Sequence, residues 1–446
     1  MAAVRIEFIN HASVKIITPQ ARITSDPWYS GAAFNNGWDL IRTDPSMTAT
    51  GSDASHIWLS HEHPDHFSIA FFKATPNRAL RVLFQKTADG RVAGFLRSQG
   101  FAVDEVPEGQ DHAFAPGETI RIGRAGFYDS WCVIRAGGKT ILNLNDCEVN
   151  SEQDLRRLKQ QIGPIDVLLT QFSYAAWKGG NANKALREAA ARDKLATVRR
   201  QVAILQPKFV IPFASFVYFS HIENSYLNDS INDIAAVLDA LGPQECKPVI
   251  MKPGDVWTVG GDWDNRDAAA YWREAYASIG TLPLRDPATP VEWSDLVAHC
   301  RLYQERVFKK NAKWLIRLAS LAPMVEAFRP PLIRLTDLKR TVRFSFFEPL
   351  QEAPDDATAD AEMSSESLDF IFRNDFGYDT LTVNGRFEAS TRGFARMTKN
   401  FAVGSLNALG LSLRPSLAVN ADVVLLLLGK LRSFMRRMET SSPAAR

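Results

Sequence analysis

Along the first 260 residues, short apolar runs alternate with polar turns. Ile57-Trp58-Leu59 followed by Ser60 reads as a short buried strand, and Phe67–Lys73 just after it reads as the first turns of a helix. Residues 4–28 read as two or three strands with turns. Further strands are expected at Arg81–Gln85, Thr119–Ile122, Asp166–Gln171 and Lys208–Phe213, with helices at Val92–Gln99, Ser151–Gln161 and Asn183–Leu205. Gly137-Gly138 predicts a hairpin turn leading into Thr140–Cys147. Lys247–Met251 and Val256-Trp257 are expected to close this domain near residue 260.

The pattern changes beyond that point. Trp293–Ala322 carries apolar residues at helical spacing with Arg and Lys opposite, which predicts amphipathic helix covering a sheet, stopped by Pro330-Pro331. Thr341–Phe347 alternates as a strand, Glu352–Asp360 is an acidic, alanine-rich loop, and a helix begins at Ser364–Ser367. Phe376–Phe387 is expected to be a turn and strand, and Arg392–Leu409 a helix. The division expected is 1–260, a helical connector 261–335, and a C-terminal part 336–446. Val423–Leu428 followed by Lys430, Arg432, Arg436 and Arg437 gives a basic amphipathic tail with weak membrane contact as one reading, a solvated helix end as the other.

At 446 residues, with 46% apolar and 23% charged residues, the chain is ordinary for a globular protein, and a net charge of +2 gives no ground for nucleic-acid binding. Its four cysteines (Cys132, Cys147, Cys246, Cys300) form no CxxC pair, so neither a disulfide framework nor a zinc ribbon is indicated. With no long apolar stretch in MAAVRIEFIN, a cytoplasmic location is expected. Residues 29–52 form a long loop rich in Gly, Asn, Asp and Ser with several aromatics, read either as a substrate-contacting lid or as a solvated excursion.

Chemistry concentrates where the first buried strand ends, at His61-Glu62-His63-Pro64-Asp65-His66. Eight histidines occur in the chain, and three fall within these six positions. His61 and His63 alternate, so on extended backbone they point the same way and can share one ion. Asp65 and His66 lie one turn further and can reach a second. Imidazole nitrogen with carboxylate oxygen suits Zn, Fe or Mn.

This hexapeptide resembles the HxHxDH signature of the metallo-β-lactamase fold. Asn10-His11-Ala12-Ser13 with Val14–Ile17 is similar to that family's N-terminal strand pair, and Asp26-Pro27-Trp28 to its DP(W) turn. The resemblance implies an α/β architecture, the αβ/βα four-layer sandwich, here with a smaller C-terminal α/β domain similar to sterol carriers. It implies two divalent ions, with iron favoured and zinc or manganese as alternatives. Asp146, after the hairpin, takes the place of the bridging carboxylate, while a helix N-cap is its competing reading. His221 takes the place of the last histidine ligand. Where the family usually has a third histidine on the first ion, none lies between His112 and His221, and Asp129 occupies the stretch, with simple backbone hydrogen bonding as its alternative. The expected ligands are therefore His61, His63 and Asp129 on one ion and Asp65, His66 and His221 on the other, bridged by Asp146, with Asp65 and Asp146 catalytic.

Asn143–Cys147, Val210–Ala214 and Phe376–Val383 further resemble the CMP-N-acetylneuraminate hydroxylase branch. Those relatives carry a Rieske iron–sulfur domain. No cysteine here has a histidine two or three places on, so electrons would come from a ferredoxin or reductase partner. The expected function is O2-dependent hydroxylation of a small anionic molecule by a dinuclear-metal enzyme. The alternative is hydrolysis of an ester, lactone or phosphodiester by a metal-bridging hydroxide. A non-catalytic binding protein that kept the fold is the third class. Tyr174, Trp177 and Lys178, with the 29–38 loop, are expected to wall the substrate pocket.

Overall fold

The computed structural model describes residues 3–415 apart from 88, 127–128, 243–245, 322–326, 355–356 and 409. The basic tail and its expected membrane contact lie outside the described residues. Two compact units are present. The first is residues 1–287 together with Thr382–Arg386, and the second is residues 288–381 with 387–446.

The first unit contains two seven-stranded sheets. One is built from β1 (Arg5–Asn10), β2 (Ser13–Ile17), β3 (Arg22–Ser25), then, after the small strand β4 (Trp38–Leu40), β5 (His56–Leu59), β6 (Arg81–Gln85) and β7 (Ala102–Val106). The other comprises β8 (Asp111–Ala115), β9 (Glu118–Ala125), β10 (Asp129–Ala136), β11 (Lys139–Asn145), β12 (Val167–Gln171), β13 (Phe209–Phe213) and, after β14 (Val217–Phe219), β15 (Lys247–Pro248). β16 (Val256–Thr258) returns to pair antiparallel with β1, so the strand orders are β16-β1-β2-β3-β5-β6-β7 and β15-β13-β12-β11-β10-β9-β8.

Side chains alternate across each strand, and this decides what lies on each face. Trp58 and Leu83 belong to a core shared with Ile120, Val133, Leu142 and Leu168 of the other sheet. Their neighbours Ile57, Leu59, Val82 and Phe84 pack instead with Phe71, Phe72, Val92 and Leu96, from helices Ile69–Ala74 and Arg91–Ser98. On the second sheet, Leu155, Leu158, Val198, Val202 and Val237 come from helices Glu152–Ile162, Lys184–Leu205 and Ile234–Leu241. This is the expected helix–sheet–sheet–helix arrangement. The buried strands β5 and β12, and β13 beyond its first residue, read as nearly continuous apolar runs for this reason.

The expected connector does not begin at 261. Helix Arg266–Ala277 belongs to the first unit, because Trp272 is fully buried in its core and stacks on Phe216 at 3.9 Å between ring centroids. The 29–52 stretch is not a solvated excursion. Trp28, Phe34, Trp38 and Leu40 form a buried cluster with Tyr174 and Phe219, and β4 pairs with β14.

In the second unit, β17 (Leu332–Leu335), β18 (Arg340–Arg343), β19 (Gln351–Glu352), β20 (Ala361–Met363) and β21 (Glu388–Ala389) form one sheet in the order β19-β18-β17-β20-β21. Its core is aromatic, with Tyr303, Phe344, Phe372 and Phe401 in mutual contact. The strand expected within Phe376–Phe387 is instead helix Gly377–Asn384. Its β-branched and aromatic residues favour strand locally, but this short apolar stretch is decided by tertiary packing.

Candidate metal centre

Four chain segments converge at one end of the two sheets: the residue after β1, the loop after β5, the start of β10 and the residue after β11. The turns are tight. His11, Asp26, Asn145 and Ala214 all take positive φ, at 42°, 36°, 57° and 54°. Left-handed backbone at a residue with a Cβ costs about 1–2 kcal/mol, and such strain concentrates where function requires it. The Ser130 hydroxyl donates to the Ser60 carbonyl at 2.5 Å, tying β10 to the metal-loop end of β5.

Among the described residues, two groups bring ligand atoms within 4.8 Å of one another: His11–Asp65–His66 and His61–His63–Asp146. In the first, Asp65 Oδ2 lies 3.4 Å from His11 Nε2 and 3.2 Å from His66 Nε2. In the second, His61 Nε2 lies 2.8 Å from His63 Nδ1. Asp146 joins them, its Oδ2 being 3.5 Å from His66 Nε2 and 3.8 Å from His61 Nε2. Asp129 stands at the edge, its Oδ1 3.9 Å from His61 Nε2.

His221 is in neither group. Its Nε2 is 3.1 Å from the Asp286 carbonyl, its Nδ1 accepts from the Glu223 amide at 3.2 Å, and it is buried in a separate polar cluster. His221, expected in the second set, therefore stands apart from both groups, and His11 stands beside Asp65 and His66. The N-cap reading of Asp146 also falls, because Ser151 caps the following helix by accepting from the Asp154 amide.

A second layer orients the imidazoles. Asp26, 1% exposed, accepts from the Ser60 amide and hydroxyl at 2.8 Å each, and lies 3.0 Å from His66 Nδ1. With its hydroxyl given to Asp26, Ser60 accepts from His61 Nδ1 at 2.9 Å. Both bonds leave the Nε2 atoms of His61 and His66 facing the centre, the carboxylate–histidine relay typical of ligating imidazoles.

The electrostatics suit a bound cation. Burial pushes His11, His61 and His63 below their ordinary range, which favours the neutral, ligating form. Burial would also lower His66, but Asp65, then Asp146 and Asp26, hold it well above its usual range. Burial opposes ionisation of Asp65, yet His66 and His11 keep it well below the ordinary carboxylate range. Asp146 is likewise lowered by His61 and His66 against its burial. Asp129 goes the other way: burial, then the Asp146 charge, raises it to about 7. Asp65 Oδ1 and Asp146 Oδ1 are buried without a hydrogen-bond partner. Buried carboxylate oxygens without a partner, beside clustered imidazoles, are what a divalent ion satisfies. The donor set therefore fits two such ions.

The spacing of HEHPDH picked out five of these groups together with Asp146. It missed His11, Asp26 and Lys194. Lys194 lies in helix Lys184–Leu205, three positions after Ala191 and four before Val198, both buried, so it falls on the inward side. Burial pushes its ammonium down, and Asp146 and Glu148 oppose this, which places it in their field. Of the expected pocket residues, Tyr174 is committed to packing, its hydroxyl donating to the Leu227 carbonyl.

Residues 5–214 match the family model of the beta-lactamase superfamily domain. The inactive cytidine monophosphate-N-acetylneuraminic acid hydroxylase of Homo sapiens is 26% identical over 277 residues, covering 57% of this chain and 52% of its own. The Mus musculus cytidine monophosphate-N-acetylneuraminic acid hydroxylase is 26% identical over the same length, with 57% and 45% covered. The chain thus spans about half the length of the curated relatives it matches. Among solved structures, CmlA, a diiron beta-hydroxylase from Streptomyces venezuelae, is similar at 15% identity and TM-score 0.37, over 65% of this chain and 53% of that one. Over residues 5–214 this chain is thus similar to the beta-lactamase superfamily domain.

Proposed function

We propose that this protein is a dinuclear-metal oxygenase that hydroxylates a small anionic organic molecule with O2. The supporting observation is the donor set of the more open group: imidazoles His61 and His63 with carboxylates Asp146 and, at its edge, Asp129. Two histidines with carboxylate and remaining open positions suit Fe(II) better than a nitrogen-rich set would. The hydroxylase relatives point the same way.

His61, His63 and Asp129 would hold one ion, and His11, Asp65 and His66 the other, with Asp146 shared. When bound, the iron pair would supply the redox chemistry that activates O2. Overall, substrate C–H, O2, two electrons and two protons give C–OH and water, so an external ferredoxin or reductase supplies the electrons. The chain's own residues position and desolvate. Asp26 and Ser60 fix the imidazole tautomers, and Asp65 stays ionised. Lys194, whose ammonium burial pushes down while Asp146 and Glu148 oppose this, would supply a cation suited to a carboxylate or phosphoryl group.

The same ionised Asp65 also suits a hydrolytic reading, as a water-orienting carboxylate beside the candidate metal positions. Protein purified without added metal, analysed for Fe, Zn and Mn and then exposed to O2 after reduction, decides between them. Two irons per chain with O2 uptake support the oxygenase. Zinc, no O2 uptake by the Fe(II)-loaded form, and cleavage of a phosphodiester probe overturn it.

A further inference from the structure

Phe34, Asn35 and Asn36 all take left-handed backbone, with φ of 49°, 52° and 60°. Three successive non-glycine residues in this region are not locally stable, least of all a phenylalanine. The turn they make brings the Phe34 ring edge-on to His63, 5.5 Å between centroids and 72° between planes, while its other side packs on Trp38 at 4.6 Å. Two residues more than 340 positions later hold that turn. The Asn384 amide donates to the Phe34 carbonyl at 3.1 Å. Arg386 donates from Nη1 to the Asn35 carbonyl at 2.9 Å and from Nε to Glu223 at 2.7 Å. Both residues are 1% exposed, and both belong to the short segment Thr382–Arg386 that is part of the first unit. Gly37 closes the turn because a Cβ there would sit 2.4 Å from Asn384 Cβ.

We propose that Asn384 and Arg386 are positioning residues for the metal centre, locking the 34–37 turn so that Phe34 sets the orientation of the His63 imidazole. The proposal rests on His63 being a ligand. Neither residue touches the centre. They act through a strained turn that relaxes once its carbonyls lose their donors, and the His63 ring then loses the face that fixes it.

The test is Co(II) titration of Asn384→Ala, Arg386→Met, Phe34→Leu and His63→Ala beside the wild type, following bound metal and the visible d–d spectrum. The expected result is that each of the first three variants weakens one of two Co(II) sites by roughly tenfold, the size usual for residues supporting a ligand. Its spectrum shifts while the other site titrates as in the wild type. A merely structural role would leave the spectrum of bound Co(II) unmoved. Should Arg386→Met strand Glu223 and fail to fold, Asn384→Ala and Phe34→Leu decide. Wild-type affinity and spectra in these, with one ion lost in His63→Ala, overturn the proposal alone. Equal weakening of both sites overturns it as general loosening. Two ions retained in His63→Ala overturn the ligand reading and the proposal with it.

Discussion

The two candidate ligand groups are built from similar side chains in opposite settings. His11, Asp65 and His66 are all buried, and all follow strands of one sheet. Asp26 backs them from the same sheet. His61, His63 and Asp146 straddle both sheets, and His63 and Asp146 are partly exposed, with Asp129 28% exposed at the rim. A closed set has its geometry imposed and holds its ion whatever else binds. A set with accessible oxygens leaves room for a second molecule. On the proposed function the buried group would hold its ion and the open group would meet substrate, with Asp146, among the described residues, placed between the two groups.

Removing the shared residue should do most. Asp146→Ala is expected to lower metal content at both sites and to cut turnover by a thousandfold or more (about 4 kcal/mol). Metal content equal to wild type by elemental analysis would break the comparison at its hinge. Next comes Asp26→Asn, which leaves the volume but removes the charge facing His66 Nδ1. Loss of such an outer partner costs roughly 10–100-fold in metal affinity, and the loss should fall on the buried group, read as the tighter of two steps in a competition titration. A loss confined to the weaker step would invert the assignment.

Asp129 sharpens the comparison through pH. Its carboxyl in the metal-free protein titrates at about 7, above its ordinary value near 3.8. The folded state therefore holds a proton that the unfolded chain releases earlier, and metal-free stability falls as pH rises from about 4 to about 7. Asp129→Asn should flatten that slope in denaturant titrations between pH 5.5 and 7.5. A slope identical to wild type would show that another group carries it. The smallest effect is expected at His221. His221→Ala removes the acceptor for the Glu223 amide, about 1–2 kcal/mol of stability, and should leave two ions per chain. One lost ion would return His221 to the ligand set.

Much of this was legible in the sequence, for physical reasons that differ by residue. HEHPDH stood out because four ligand-type groups, three imidazoles and a carboxylate, at ligand spacing beside a buried strand have little use in packing. Asp146 stood out because a hairpin places its strand end next to that loop. His11 did not, being one histidine in a polar turn whose meaning comes from strand pairing, with its carbonyl accepting from Ala214 at 2.8 Å. Asp26 was read as a turn residue, and only burial shows it to be the partner of His66. His221 was placed by its position after a strand, but the order of elements does not state where a side chain points, and the structure sets it apart from both groups. The 29–52 stretch was read as a lid or a solvated excursion, since its Gly, Asn, Asp and Ser residues suggest a long loop. Asn35 and Asn36 serve a left-handed turn beside a buried cluster instead.

The wide sequence spacing of the ligands has a kinetic consequence. Asp146 meets His66 across 80 positions, and the hydrogen bond that joins the sheets beside them spans 70. In the unfolded chain only the 61–66 loop offers donors at short range, and loop-closure entropy keeps the others apart until both sheets have formed. On the proposed function, a bound metal would therefore act late, as a latch on a finished structure, and would slow unfolding far more than it hastens folding.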